Sequence, residues 1–126
     1  MAHTNKQAAP VGVDLPELEA RYVDLDGYTV AFETYKADVD PADLFRGLPD
    51  DRCQCPHWGV VLTGSIRFRF ADHSEVFNAG DAYYAPPGHL PLITSGTELV
   101  EFSPTEALGA TMAVLEANLA AAGAPA

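Results

Sequence analysis

The chain has 126 residues, 48% of them hydrophobic, which suffices for one folded domain but not for two ordinary cores. Seven basic against eighteen acidic residues give a formal charge of −11. A surface this acidic repels phosphate backbones and anionic membranes, so we expect neither nucleic acid nor a membrane among the partners. No apolar run approaches the roughly 18–20 residues that span a bilayer. The first twenty residues lack the apolar core of a signal peptide, and we therefore expect a cytoplasmic protein with reduced thiols.

The first half of the chain predicts a lead-in, a hairpin and a loop. Residues 1–18 show little periodicity, and we interpret them as a flexible lead-in. Asp26-Gly27 then separates two β-rich runs, which predicts a hairpin. Residues 36–52 are polar and contain two prolines and a glycine. We expect a long loop there, with one helical turn at residues 41–45.

The following fifty residues consist of short strand-like runs separated by turn residues, with no helical pattern between them. This arrangement is typical of an antiparallel sandwich or barrel. In Ile66–Phe70 the apolar residues alternate with two arginines, so the apolar side chains are predicted to face a core and the arginines to face water. We place the barrel at residues 19–103.

The end of the chain changes from strand to helix periodicity. Ser103-Pro104-Thr105-Glu106 resembles a helix start, with Ser as the N-cap and Glu closing a capping box. Four apolar residues then recur at helical spacing on one face. These residues are Leu108, Met112, Leu115 and Leu119. We predict a helix over residues 104–122, in the same domain, whose apolar stripe packs on the outside of the barrel.

Two cysteines, Cys53 and Cys55, lie one residue apart. In an extended strand their Cα atoms would be roughly 6.6 Å apart with parallel side chains, which would strain a disulfide. Free thiols or thiolate metal ligands therefore fit this pair better.

The segment Asp51–Phe102 carries two motifs that resemble those of the cupin family of small jelly-roll barrels. The second cupin motif pairs Gly-Asp with a Pro-x-Gly six residues later, and here Gly80-Asp81 is followed by Pro86-Pro87-Gly88. The turn of the first motif is Val-Leu-x-Gly, and here it is Val61-Leu62-Thr63-Gly64. The resemblance implies a mainly all-β fold, a cupin jelly-roll β-barrel with a C-terminal helix packed outside.

The ligand positions depart from the three-His-one-Glu pattern of metal-binding cupins. Counting back from Gly64, the glutamate position is occupied by His57, and the paired histidine positions fall on Asp51 and Cys53. The last histidine position falls on Pro91. The usual iron site therefore does not transfer to this sequence.

A different donor set emerges from strand alternation, because residues two apart on a strand share a face. Cys53, Cys55 and His57 share the face of the family's glutamate, and His89 shares that of the last ligand. Two thiolates and two imidazoles suit tetrahedral zinc. Three of these donors with an open position also suit a catalytic zinc or ferrous ion. We therefore predict a divalent metal site, with zinc favoured and iron as the alternative.

Further residues are candidates for substrate binding. Tyr35, Tyr84 and Glu101 lie on or near strands that cross a cupin barrel, and a Tyr or Glu beside a metal can act as a general acid or base. Trp58 is predicted to lie on the opposite strand face from His57, against a second sheet or a partner subunit.

Three functional hypotheses follow. The first is a metal-binding cupin that acts on a small organic molecule, by isomerase, cyclase, lyase or oxygenase chemistry, since nucleotide-binding and serine-hydrolase motifs are absent from the sequence. The second is a non-catalytic sensor or carrier for a small ligand, without metal. The third is a redox-responsive cysteine pair on a barrel scaffold. The resemblance to cupins of this size also implies that the protein forms a homodimer.

Overall fold

The computed structural model describes residues 2–122, which form a mainly antiparallel β-structure. The strands are β1 (Val11–Asp14), β2 (Leu18–Leu25), β3 (Tyr28–Tyr35), β4 (His57–Thr63), β5 (Ser65–Arg69), β6 (Ser74–Asn78), β7 (Ala82–Ala85), β8 (Leu90–Ile93) and β9 (Glu98–Pro104). The helix α1 (Thr105–Ala121) follows the last strand. None of the helices within residues 2–122 combines the length and apolar character that crossing a membrane requires.

Two antiparallel sheets enclose the core. The larger sheet has the strand order β1-β2-β3-β9-β4-β7, and the smaller one has the order β6-β5-β8. Val61 and Leu99 of the larger sheet pack with Ile66 and Phe68 of the smaller sheet, and all four are almost fully buried. The alternation predicted within Ile66–Phe70 is therefore confirmed for Ile66 and Phe68, because side chains at positions two apart point to the same face.

The predicted hairpin at Asp26-Gly27 joins β2 to β3, which pair over their whole length. Both turn residues have positive φ angles, 51° and 87°, as a tight two-residue turn requires. The predicted helical turn at residues 41–45 is present as a 3₁₀ turn over Ala42–Phe45, and a second 3₁₀ turn covers Pro49–Asp51.

Within the expected lead-in at residues 1–18, the structure contains a strand that was not predicted. Val11–Asp14 forms β1, which adds to the free edge of β2, and Ala9 is buried against the domain. A strand of four residues is too short to show periodicity, so its backbone pairing has no signal in the sequence.

The predicted helix is present, but its predicted N-cap is wrong. The N-cap position is Pro104, with no side-chain cap, while Ser103 lies in β9 opposite Thr29 of β3. Sheet pairing has therefore overridden the local capping pattern. The Thr105 N–H is instead satisfied by the Gly27 carbonyl.

Helix α1 packs outside the two sheets and closes one end of the space between them. Leu108 and Leu115 pack against the buried Phe45 of the first 3₁₀ turn. The Asn118 amide donates to the carbonyls of Leu44 and Arg46 in the same segment. These contacts hold the helix beside the barrel interior, and this arrangement positions the candidate site.

Candidate metal centre

The site is built from one face of the larger sheet and two adjoining loops. In the register of the larger sheet, Glu101 of β9 lies between Gly59 of β4 and Ala31 of β3. Residues paired in this way share one face of the sheet, here the inward face. His57 lies two positions before Gly59 on β4 and therefore points to the same face. Cys53 and His89 lie outside these strands. The Cys53 N–H donates to the His89 carbonyl at 2.9 Å, and this isolated β-bridge holds the two residues side by side.

Cys53, His57 and His89 form a compact cluster of metal-binding side chains. The donor atoms of the three residues all lie within 4.8 Å of one another. The Cys53 Sγ atom is 3.6 Å from His57 Nε2, and the two imidazole rings are 4.9 Å apart between centroids. All three residues are buried, at 3%, 8% and 1% exposure respectively. Because His89 lies far along the chain from Cys53 and His57, the fold is what brings it into the cluster.

Hydrogen bonds orient both imidazoles towards the cluster. The Pro86 carbonyl lies 2.7 Å from His89 Nδ1 and can only accept, so Nδ1 carries the proton and Nε2 presents its lone pair. His57 Nδ1 lies 2.7 Å from the Ser103 hydroxyl and 3.9 Å from a Glu101 carboxylate oxygen, which favours the same tautomer. Partners of this kind fix the ring orientation of histidine ligands in metal sites.

The ionisation of the cluster suits a cation. Burial lowers the pKa of both His57 and His89 to about 4, so the imidazoles are neutral near pH 7 and available as ligands. Burial raises the pKa of Cys53 to about 12, although hydrogen bonds with the Cys55 backbone and the Thr111 side chain oppose the rise. A divalent ion would supply the positive charge that makes the thiolate favourable. Two imidazoles and one thiolate form a donor set that could hold a divalent metal ion.

Cys55, the fourth predicted donor, is not brought into the cluster. Its thiol donates to the Pro56 carbonyl at 3.4 Å, and its side chain packs with Phe45. The expected alternation fails here because β4 begins only at His57, so residues 53–56 do not follow strand geometry. Burial also raises the pKa of Cys55 to about 11.

Two Tyr–Glu pairs lie on the same inward face. The Tyr83 hydroxyl donates to Glu101, and the Tyr35 hydroxyl donates to Glu33 at 2.6 Å. Burial raises the pKa of Glu101 to about 7 and that of Glu33 to about 8. Tyr35 and Glu101 therefore lie where the sequence placed them, inside the barrel. Glu33 was not among the predicted site residues, although it lies two positions before Tyr35 on β3 and therefore points to the same face of the sheet.

Tyr84, the third predicted substrate-binding residue, lies outside the barrel. It is 47% exposed, and its ring lies 4.8 Å from that of Trp58 on the outer face. The register of β4 with β7 pairs Trp58 with Tyr84 and Gly59 with Tyr83, so Tyr83 is the inward tyrosine. The placement of Trp58 on the face opposite His57 is confirmed.

The cluster lines a large cavity between the sheets and α1. The cavity has a volume of about 870 Å³, which lies within the range of small-molecule sites. Glu33, Tyr35 and Glu101 line it together with Cys53, His57 and His89. Helix α1 contributes Thr111 and Met112, so Met112 borders the cavity and does not only fill the core.

Comparisons with known proteins identify the fold. The sequence matches no family model and no curated protein. Among solved structures, a protein of unknown function from Rhizobium leguminosarum bv. viciae aligns at a TM-score of 0.59 and 13% identity, over 82% of this chain and 95% of that one. The polyketide cyclase RemF from Streptomyces resistomycificus aligns at 0.57 and 15% identity, over 82% and 79%. An RmlC-like cupin from Shewanella frigidimarina aligns at 0.56 and 14% identity, over 81% and 89%. The chain has the cupin fold.

Proposed function

We propose that this protein is a metal-dependent cupin that binds a small organic molecule in the barrel and transforms it. The observation that carries the proposal is the buried Cys53–His57–His89 cluster, whose imidazole nitrogens are oriented by hydrogen bonds and which borders a cavity of about 870 Å³. Zinc is the favoured ion and iron the alternative, because a thiolate and two imidazoles suit both.

The chain's own residues support acid–base chemistry beside the cluster. A bound divalent ion would act as a Lewis acid towards an oxygen of the ligand or would activate water. Glu101, held by the Tyr83 hydroxyl, has a pKa raised by burial to about 7, so it can take up or release a proton near neutrality. Isomerase, cyclase, lyase and oxygenase reactions all remain candidates, and the polyketide cyclase RemF among the structural neighbours supports cyclisation as one of them.

Metal analysis of protein purified without an affinity tag tests the proposal. We expect about one equivalent of a divalent ion in the wild type, a loss in C53A, H57A and H89A, and no loss in C55A, since Cys55 lies outside the cluster. The exposed His73 in H73A serves as the matched histidine control. The proposal fails if the wild type holds less than a tenth of an equivalent, or if C53A and C55A retain equal amounts.

A second candidate is a metal-free sensor or carrier. The observation in its favour is that Cys53 lies buried beside a cavity large enough for a ligand. Burial raises the pKa of this thiol to about 12, which favours the neutral thiol over a metal-binding thiolate when no ion is bound. This candidate predicts that EDTA leaves the melting temperature unchanged while ligands raise it. A sharp fall of the melting temperature on chelation would exclude it.

A redox pair is less favoured, because burial raises the pKa of both cysteines and disfavours the reactive thiolate.

We also propose a homodimer that forms through the outer face of the larger sheet. Tyr28, Trp58, Tyr84 and Phe102 are each more than 40% exposed there, and Trp58 contacts both tyrosines. Exposed aromatic residues that contact one another are typical of interface cores. Light scattering on wild type and W58E should show a dimer and a monomer respectively. A monomeric wild type would contradict this proposal.

The cytoplasm is likewise proposed as the location, consistent with two free cysteines.

A further inference from the structure

The charges that border the cavity have one sign. Among the residues that line it within the described chain there is no lysine and no arginine. Five carboxyl groups line it, those of Asp14, Glu17, Glu33, Glu101 and Glu116. The lining therefore offers an anionic ligand no lysine ammonium group and no arginine guanidinium group.

The remaining lining is mostly apolar. Large hydrophobic side chains come from both sheets and from α1, and they include Leu18, Ile66, Phe68, Met112 and Leu115. An anionic group that enters this space loses water and gains no counter-charge, which is strongly unfavourable. An uncharged ring system would instead gain from burial against these side chains.

Glu33 offers a polar contact in this apolar space. One carboxylate oxygen accepts from the Tyr35 hydroxyl, and the other has no hydrogen-bond partner within the described residues. The residue borders the cavity beside Tyr22 of β2. The free oxygen can accept a hydrogen bond from a ligand hydroxyl or attract a cationic group, and it repels a carboxylate or phosphate when ionised.

We propose that the cavity takes uncharged or cationic, largely apolar molecules that carry a hydroxyl or phenol group, and that Glu33 sets this selectivity against anions. This inference rests on the proposed function in one respect, that the cavity is the ligand site. A metal at the Cys53–His57–His89 cluster would add positive charge beside these residues, whereas Glu33 would still present a carboxyl group to the cavity and repel anions at a pH where it is ionised. The selectivity is therefore a property of the polypeptide.

Three matched naphthalene probes test the selectivity by calorimetry at pH 8. They are 2-naphthol, which is neutral, 2-naphthylmethyl-trimethylammonium, which is cationic, and 2-naphthoate, which is anionic. On the full-length protein, as purified and after chelation, we expect the first two to bind and 2-naphthoate to bind at least about 30-fold more weakly. Equal or tighter binding of 2-naphthoate after chelation, or binding of none of the probes, overturns the proposal.

Variants identify the residue responsible. E33Q should lower the affinity for the cationic probe about tenfold relative to 2-naphthol, while E75Q, at an exposed position on β6, should not. M112K adds a positive charge at the cavity wall and should raise the affinity for 2-naphthoate about tenfold. Identical probe preferences in E33Q and E75Q overturn the role of Glu33. Metal content measured on the same samples tests the proposed function separately, since a metal-free protein can still show the selectivity.

Discussion

Replacing Glu33 by Gln should remove a penalty that the folded protein carries at alkaline pH. Burial, aided by the nearby Glu101 charge, raises the pKa of Glu33 from 4.5 to about 8, against the opposing hydrogen bond from Tyr35. Between these two values the folded state binds more protons than the unfolded state. Stability therefore falls as the pH rises from about 4.5 to about 8 and is constant above that range as far as Glu33 is concerned.

The size of the effect follows from the shift. Each pKa unit corresponds to about 1.4 kcal/mol, so a rise from 4.5 to about 8 corresponds to a penalty on the order of 5 kcal/mol once Glu33 is fully ionised. The Gln amide oxygen can still accept from the Tyr35 hydroxyl, so the contact that the structure shows is kept. We expect E33Q and wild type to be similarly stable near pH 4.5 and E33Q to be more stable by several kcal/mol at pH 9.

Urea unfolding of the chelated proteins at intervals from pH 4.5 to 9 measures the difference. The histidines of the cluster contribute alike to both proteins, so the difference between the two profiles reports the ionisation of Glu33 together with its repulsion of Glu101. E75Q, which removes an exposed carboxylate, should differ from wild type only by the small contribution of its contact with His73. If the wild-type and E33Q profiles are parallel, Glu33 titrates normally and the reasoning from burial is refuted.

Two further predictions concern the frame of the site. S103A removes the hydroxyl group that lies 2.7 Å from His57 Nδ1. We expect the free energy of unfolding to fall by about 1–3 kcal/mol and the zinc affinity, measured by competition with a chromogenic chelator, to become 10- to 100-fold weaker. An unchanged zinc affinity would contradict the proposal that Ser103 orients His57. G64A and G80A both place Ala at a positive φ, at a cost of about 1–2 kcal/mol. A Cβ at Gly64 would also lie 2.7 Å from the Thr97 Cα, whereas a Cβ at Gly80 would meet open space. In urea unfolding, G64A should therefore lose about 2 kcal/mol more stability than G80A. Equal losses in the two variants would contradict the close approach of Thr97 to Gly64.

Strand alternation and turn chemistry predicted much of the fold, because both are local. The hairpin at Asp26-Gly27, the inward Ile66 and Phe68 and the outward Trp58 all follow from period-two patterns or from turn residues. The inward positions of Tyr35 and Glu101 in the cavity follow the same logic once the strands are paired.

The failures occur where geometry depends on the register or on irregular backbone. Tyr83 and Tyr84 are chemically identical neighbours, so only the register of β7 decides which one faces inward. The pairing of β9 with β3 converts Ser103 from a predicted helix cap into a partner of His57. Cys55 precedes the regular strand, and alternation does not apply to it. In each case a long-range contact decides the outcome, and a local pattern cannot encode it.

The altered donor set changes where the acid–base groups of the site lie. Three histidines and a glutamate carry one formal negative charge, and so do one thiolate and two neutral imidazoles. With an ion bound by Cys53, His57 and His89, the charge balance would match that of the family pattern while one protein ligand fewer is used. The carboxyl groups would then not be needed as ligands, and Glu101 and Glu33 each accept a hydrogen bond from a tyrosine hydroxyl instead. With three protein ligands, such a site would leave a coordination position for substrate or water beside carboxyl groups whose pKa burial raises towards neutrality, the combination that proton transfer to or from a bound organic molecule requires.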